Sequence, residues 1–188
     1  MCGIAGLIHR GKSADIGSQM TAMLQALKHR GPDSTGYALY GDKGNKDYVM
    51  RFKVAEQEDF TGFDIHDLVK ERKATVDERL KEMKVKVTGE DQATEYAHRY
   101  TLSFKGDLKR VIDFVEDVEG VEILSIGNAL ELIKDLGDAT VVSEQYSLGG
   151  FKGTHAIGHT RMATESDVDI RSAHPYCCLL YTSPSPRD

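Results

Sequence analysis

The sequence predicts a mixed fold of the α+β class, and three observations lead to it. Short apolar segments alternate with the two-residue period of a strand. Other apolar residues recur three and four positions apart, as they do on one face of a helix. Hydrophobic residues make up 40% of the 188 residues and charged residues 29%, so we expect a folded core rather than a disordered chain.

The beginning of the chain predicts three strands and one helix. Residues 1–8 (MCGIAGLI) are small and apolar, and they indicate a strand that starts at the second residue. Residues 16–27 carry apolar side chains at helical spacing, and a Gly-Pro pair ends this helix. Residues 36–40 and 48–54 predict two further strands, which a polar turn separates.

The middle of the chain, residues 57–147, differs in composition because it holds most of the long charged runs. Its patterns predict a strand over 96–104, a helix over 108–115, a strand over 121–126 and a second helix over 129–136 that a glycine closes. We therefore expect a folded α/β insertion here, not a linker.

This organisation predicts one domain that is interrupted by an insertion. Residues 1–56 form its first part, residues 57–147 the insertion, and residues 148–177 its continuation, with a buried strand over 155–161. Residues 178–188 show no helical or strand periodicity of sufficient length. The ending LLYTSPSPRD resembles translated sequencing-adapter read-through. We expect this last segment to be a non-native tail.

Charge and cysteine content exclude several functions. A net charge of -6 with no basic cluster argues against nucleic-acid binding, and the apolar runs are too short for a membrane span. Nothing resembles a signal peptide, and three cysteines are not a disulfide framework, so we expect a cytoplasmic protein. His174 with Cys177 and Cys178 lacks the usual ligand spacing, so no metal site is expected.

Cys2 is the first candidate for chemistry. Removal of the initiator methionine would leave its thiol beside a free α-amine, whose pKa is about 7.7–8.0. Such an amine can accept the thiol proton, so the residue would be a nucleophile with a built-in base. The alternative at this point is that Cys2 is only a small buried residue.

Two further segments carry polar residues. HRGPDSTG (residues 29–36) ends a helix and turns, and Arg30 could cap the helix or bind an anion there. GHTRMAT (residues 158–164) places Arg161 at the end of an apolar strand, where a guanidinium suits a carboxylate ligand or a structural ion pair. His174, in the turn AHP, could line a polar site or be a plain loop histidine.

The segments MCGIAGL, HRGPDSTG, GHTRMATES and AHP follow one another in this order, and together they resemble the class II glutamine amidotransferases. These enzymes are N-terminal-nucleophile hydrolases. The long insertion, and ATES where many members have AT-H-G, are similar to the glutaminase-type subunits related to glutamate synthase, such as that of N-methylglutamate synthase.

The resemblance implies a four-layer αββα sandwich of two antiparallel sheets. It implies that Cys2 attacks the side-chain amide of glutamine, forms a thioester and releases ammonia. Arg161 matches the arginine that binds the substrate α-carboxylate, while Thr164 and His174 match polar residues around the same site. Arg30 and Gly31 match a segment that supports the nucleophile.

The resemblance also implies a partner. Such a glutaminase hands its ammonia to a synthase subunit or domain, and any flavin or iron–sulfur cofactor belongs to that partner. We expect no cofactor in this chain, because it has no GxGxxG motif, P-loop or cysteine cluster.

The sequence departs from the family pattern after the AHP turn. The family has an Asn-Gly pair there that forms the oxyanion hole, whereas the asparagines of this chain are Asn45 and Asn128. We expect the natural sequence in this chain to end near Tyr176 or Cys177, so the fold is expected to be incomplete at the C-terminus. We expect the chain as given to be inactive and partly unfolded, since loss of one oxyanion donor costs about 10²–10³ in rate.

Two alternative functions stay open. The first is a non-catalytic, glutamine-binding regulatory module, which the long charged insertion favours. The second is another N-terminal-nucleophile or cysteine hydrolase that acts on a different amide, although Arg161 argues against substrates without a free α-carboxylate.

Overall fold

The computed structural model describes residues 2–42, 47–56, 65–162 and 173–176. Its strands are β1 Gly3–Ile8, β2 Ala14–Asp15, β3 Ser34–Gly41, β4 Tyr48–Lys53, β5 Lys86–Gln92, β6 Ala97–Ser103, β7 Glu122–Gly127, β8 Leu130–Leu136 and β9 Lys152–Arg161. Its α-helices are α1 Ile16–Ala26, α2 Ile65–Glu82, α3 Leu108–Glu116 and α4 Ala139–Gln145, and a short 3-10 helix covers Lys28–Arg30.

The first sheet has the strand order β1–β9–β3–β8, and β2 also pairs with β9. All of these pairs are antiparallel. Helix α1 begins where the Asp15 carboxylate accepts a hydrogen bond from the Ser18 amide at 2.9 Å. Its buried residues, among them Met20 and Leu24, recur at helical spacing and cover one face of this sheet.

The second sheet has the order β5–β6–β4–β7, again with antiparallel pairs. Its elements follow one another as β4-α2-β5-β6-α3-β7, which is the βαββαβ arrangement of a split β-α-β unit. Its core is aromatic: the Phe52 ring lies 4.9 Å from that of Tyr100, and the Tyr100 hydroxyl donates to Asp77 of α2 at 2.8 Å.

Buried ion pairs join the two sheets. Arg51 of β4 donates to Glu131 of β8 at 2.7 Å, and Arg99 of β6 donates to the same carboxylate from two nitrogens. Lys53 of β4 lies 3.3 Å from Asp135 of β8, and both side chains are buried. These pairs connect the split unit to β8, and removal of one partner would leave the other charge buried and unpaired.

The predicted α+β class with two antiparallel sheets is confirmed. The predicted helix over residues 129–136 was wrong, because this segment is strand β8. Leu130, Leu132, Ile133 and Leu136 fit either period in so short a run. Pairing with β3 decides for the strand, since the charged residues between them find buried partners on the second sheet.

The insertion predicted over residues 57–147 contributes to both sheets. It supplies β5, β6 and β7 to the second sheet and β8 to the first, while β4 of the second sheet comes from residues 1–56. The predicted domain limits stay a prediction, and residues 178–188 lie outside the described residues. Within the described part of the chain, no helix is both long and apolar enough to cross a membrane.

Candidate active site

The candidate site lies at one end of the first sheet, where β1 begins and β9 ends. Gly3 of β1 is paired with Thr160 of β9, so the register, continued by one residue, sets Cys2 opposite Arg161. Cys2 is exposed and is not part of a disulfide bond. On the other side of β9, Ser34 of β3 is paired with Arg161. Two residues that are far apart in sequence thus lie at neighbouring strand ends of one sheet.

The turn that precedes β3 packs directly on Arg161. The Asp33 amide donates to the Arg161 carbonyl at 3.1 Å. A Cβ added at Gly31 would lie 2.5 Å from the Arg161 backbone, so only glycine allows this approach. Gly31 therefore supports the end of β9, while the Arg30 side chain is exposed in the 3-10 helix and its role stays a prediction.

The AHP turn lies over the middle of the sheet. A Cβ at Gly36 would lie 1.9 Å from the His174 carbonyl oxygen, so this glycine lets the turn rest on β3. The His174 ring lies 5.1 Å from that of His159 and 4.8 Å from that of Tyr176. The Lys134 ammonium lies 5.2 Å from the centre of the Tyr176 ring.

The surroundings of the two imidazoles are cationic. Burial lowers the pKa of His159, and the nearby His174 and Arg161 lower it further. Burial also lowers the pKa of His174, with added effects from Lys134 and Arg161. Both rings are thus kept neutral at neutral pH, and the guanidinium and ammonium groups around them favour an anionic group such as a carboxylate.

Two hydroxyl groups at this sheet end are buried without hydrogen-bond partners among the described residues, Ser34 Oγ and Thr160 Oγ1. Sequence reasoning missed Ser34 and His159 as site residues. Strand alternation could have indicated His159, because it lies two residues before Arg161 and shares its face. Ser34 could be found only from the register between β3 and β9, which the sequence does not specify.

The structure brings Cys2, Gly31, Arg161 and His174 to the same sheet. The predicted substrate residue Thr164 lies outside the described residues, as do Cys177 and Cys178. Asn128 lies in the turn between β7 and β8, where its amide donates to the Asp47 carbonyl at 3.4 Å. Within the described ranges, no three histidine, cysteine or acidic side chains are grouped as a metal site.

Fold and site together define an α+β protein of two antiparallel sheets, with an exposed cysteine and a buried arginine at neighbouring strand ends. No known family model matches the chain. The chain is 38% identical over 186 residues to a Methanothermobacter thermautotrophicus protein named "Putative glutamine amidotransferase", covering 94% of this chain and 56% of that protein. It is 29% identical over 188 residues to the glutamine amidotransferase-like protein GlxB of Rhizobium meliloti, covering 96% of this chain and 58% of that one.

The chain thus spans little more than half the length of these curated relatives. Both relatives carry glutamine amidotransferase names, which supports the glutamine amidotransferase family that the sequence motifs indicated.

Proposed function

We propose that the chain carries the glutaminase part of a class II glutamine amidotransferase, with the αββα sandwich of an N-terminal-nucleophile hydrolase. The observation that carries the proposal is the placement of Cys2 and Arg161 at neighbouring ends of the paired strands β1 and β9. A nucleophile and a carboxylate-binding cation at adjacent strand ends fit a substrate that is both an amide and an α-amino acid.

The reaction follows from the chemistry of Cys2. After removal of Met1, its α-amine would take the thiol proton, and the sulfur would attack the side-chain carbonyl carbon of glutamine. The carbon–nitrogen bond then breaks, and the α-amine returns the proton to the leaving ammonia. Water would hydrolyse the resulting thioester, which releases glutamate and restores the thiol.

The other site residues would bind and orient the substrate. Arg161 would hold the α-carboxylate, since the end of β9 is buried and fixed by the Asp33 and Gly31 contacts. His174 would line the site as a neutral imidazole, in keeping with its lowered pKa. Thr164 and Arg30 are proposed, from the sequence motif alone, as a substrate-binding and a supporting residue.

The acceptor of the ammonia is proposed to be a synthase subunit or domain that carries any flavin or iron–sulfur cofactor. The cytoplasmic location is part of the same proposal. The partner rests on the motif resemblance and on the names of the relatives, and the location rests on the cysteine content of the sequence.

The proposal is tested in the protein encoded by the complete reading frame at the source locus. Intact-mass analysis should show loss of Met1, and an electrophilic glutamine analogue should label Cys2. Cys2→Ser should reduce glutamine hydrolysis by at least about 10³-fold, because the thiolate is the far better nucleophile. Undiminished hydrolysis in Cys2→Ser would exclude the proposal.

A second substitution separates substrate binding from chemistry. Arg161→Met should lower kcat/KM for glutamine by about 10- to 100-fold through KM, because a charge-assisted pair with the carboxylate is lost. Arg10→Met, an exposed arginine just after β1, is the matched control and should leave KM unchanged. Glutamine binding without turnover in the wild type would favour the regulatory module instead.

A further inference from the structure

A small polar cleft lies in the split β-α-β unit, apart from the Cys2 site. Its volume is about 210 Å³, and it is bounded by the end of β4, by α2 and by the segment that enters β7. The lining residues are Lys53, Ala55, Glu56, Arg72, Glu119, Gly120, Val121 and Glu122. Clefts for drug-sized ligands usually measure about 300–1,000 Å³, so the occupant of this one must be small.

Two charged groups in this cleft have unused hydrogen-bonding capacity. The Lys53 side chain is 1% exposed, and its ammonium makes ion pairs at 3.3 Å to Asp135 and 3.8 Å to Glu56. Neither contact is a hydrogen bond, and no other described residue provides one. Glu122 accepts from Lys134 at 2.8 Å through Oε1, while its buried Oε2 has no hydrogen-bond partner in the same described set.

Buried charged atoms without hydrogen bonds are costly, so their clustering around one cleft calls for an occupant. The Lys53 ammonium needs a hydrogen-bond acceptor, whereas the Glu122 carboxylate oxygen needs a donor. Arg72 adds a second cation to the wall, and its Nη1 is held by the Val54 carbonyl at 2.9 Å. Glu56 adds a second, largely buried carboxylate.

We propose that this cleft binds a small zwitterionic α-amino acid. Its carboxylate would lie against Lys53 and Arg72, and its ammonium group against Glu122 and Glu56. A metal ion fits less well, because the described residues hold no three metal-binding side chains in one group and Lys53 lines the same space. The proposal stands without the proposed glutaminase function.

Two further features agree with this ligand. Burial raises the pKa of Glu56 to about 7. An ammonium group beside it would lower this pKa again, so the carboxyl group would release its proton to solvent. The cleft is also connected to the AHP turn, because Lys134 pairs with Glu122 and lies 5.2 Å from the Tyr176 ring. An amino acid bound to Glu122 would therefore be one ion pair away from Lys134, the cation beside the Tyr176 ring.

The test is calorimetric titration, at neutral pH, of the purified protein encoded by the complete reading frame, with glycine, L-alanine and L-glutamate, and with acetate and methylammonium as single-charge probes. The amino acids should bind and the single-charge probes should not. The heat should change with the ionisation heat of the buffer, since binding would release the Glu56 proton. If none of the amino acids binds, or if acetate binds equally well, the cleft holds only water or an adventitious ion.

Variants locate the site. Glu122→Gln should weaken glycine binding by at least about 10-fold, because a hydrogen bond to a charged group is lost. Glu78→Gln, an exposed carboxylate on α2 outside the cleft, is the matched control and should change it less than about two-fold. Arg161→Met should leave it unchanged, which separates this cleft from the Cys2 site. Binding that survives Glu122→Gln, or that is lost in Arg161→Met, would overturn the assignment.

Discussion

The two sheets of this protein are made from different residues. The first sheet has glycines where other backbone must come close, as at Gly36 below the AHP turn, and it leaves apolar side chains such as Ile4 and Ile8 exposed. The second sheet packs large aromatic side chains, Phe52 and Tyr100, against α2 and buries them completely. The first sheet therefore carries the candidate site, while both sheets share one continuous buried core, to which Tyr37 and Leu39 of β3 also belong.

The largest effect should follow from a substitution in the aromatic core of the second sheet. Phe52→Ala removes a fully buried ring that contacts Tyr100 and His98. We expect a loss of about 3–5 kcal/mol in the free energy of unfolding, measured by urea denaturation, because the cavity cannot collapse in a closely packed core. A loss below about 1 kcal/mol would mean that the Phe52 ring contributes little to the shared core.

The junction between the sheets should come next. Glu131→Gln leaves the guanidinium of Arg51, which is 6% exposed, without a charged partner. Breaking a buried ion pair in this way lowers the free energy of unfolding by about 3–5 kcal/mol. The loss is smaller if the new amide oxygen still accepts a hydrogen bond from Arg51. Glu144→Gln, an exposed carboxylate on α4, is the matched control and should change stability by less than about 0.5 kcal/mol. Equal urea midpoints for the two variants would show that the network does not hold the sheets together.

The decrease in stability at acidic pH gives a further test of the second sheet, through the buried His98. His98 is buried beside Phe52, and neither ring nitrogen has a hydrogen-bond partner among the described residues. Burial, with a smaller effect of Lys73, lowers the pKa of His98 to about 4 from the 6.5 of an unperturbed histidine. The unfolded chain therefore binds more protons between these pH values, so this stability is complete above pH 6.5 and is lost as the pH falls towards 4.

Glu56 acts in the opposite direction. Burial raises its pKa to about 7 from 4.5, so its contribution is complete below pH 4.5 and is lost as the pH rises through 7. In a plot of melting temperature against pH, His98→Phe should reduce the slope between pH 4 and 6.5. Glu56→Gln should reduce the slope between pH 4.5 and 7. His29→Gln, at an exposed histidine, is the control and should leave both slopes unchanged. An acid limb that stays as steep in His98→Phe would assign it to other groups.

The smallest effect is expected at the exposed side chains of β1. Ile8 is 78% exposed, so Ile8→Ala removes little buried surface and should change the free energy of unfolding by less than about 0.5 kcal/mol. The measurement is urea denaturation beside Phe52→Ala, which compares the two sheets directly. A loss above about 2 kcal/mol would show that Ile8 is buried in solution, as against another part of the protein or a second copy.

Sequence patterns predicted the elements that have a clear period. The strands that became β1, β3, β4, β6, β7 and β9 and the helices α1 and α3 were predicted and are confirmed. Helix α2 was missed because only a few of its residues, such as Val69 and Val76, are apolar and buried within a highly charged run. Strand β8 was mistaken for a helix because the pattern analysis assumed that its charged residues are exposed to solvent. In the structure these charged residues are buried.

The sequence by itself determined the candidate chemistry: Cys2 after the first methionine, Arg161 at the end of an apolar strand, and motifs resembling one family in one order. Only the tertiary structure decided which of these residues meet. The pairing of β1, β9 and β3 sets Cys2 and Ser34 on either side of Arg161, and the buried pairs of β8 position the second sheet. The physical reason is that register and ion-pair partners depend on contacts between residues distant in sequence, whereas periodicity reports only local structure.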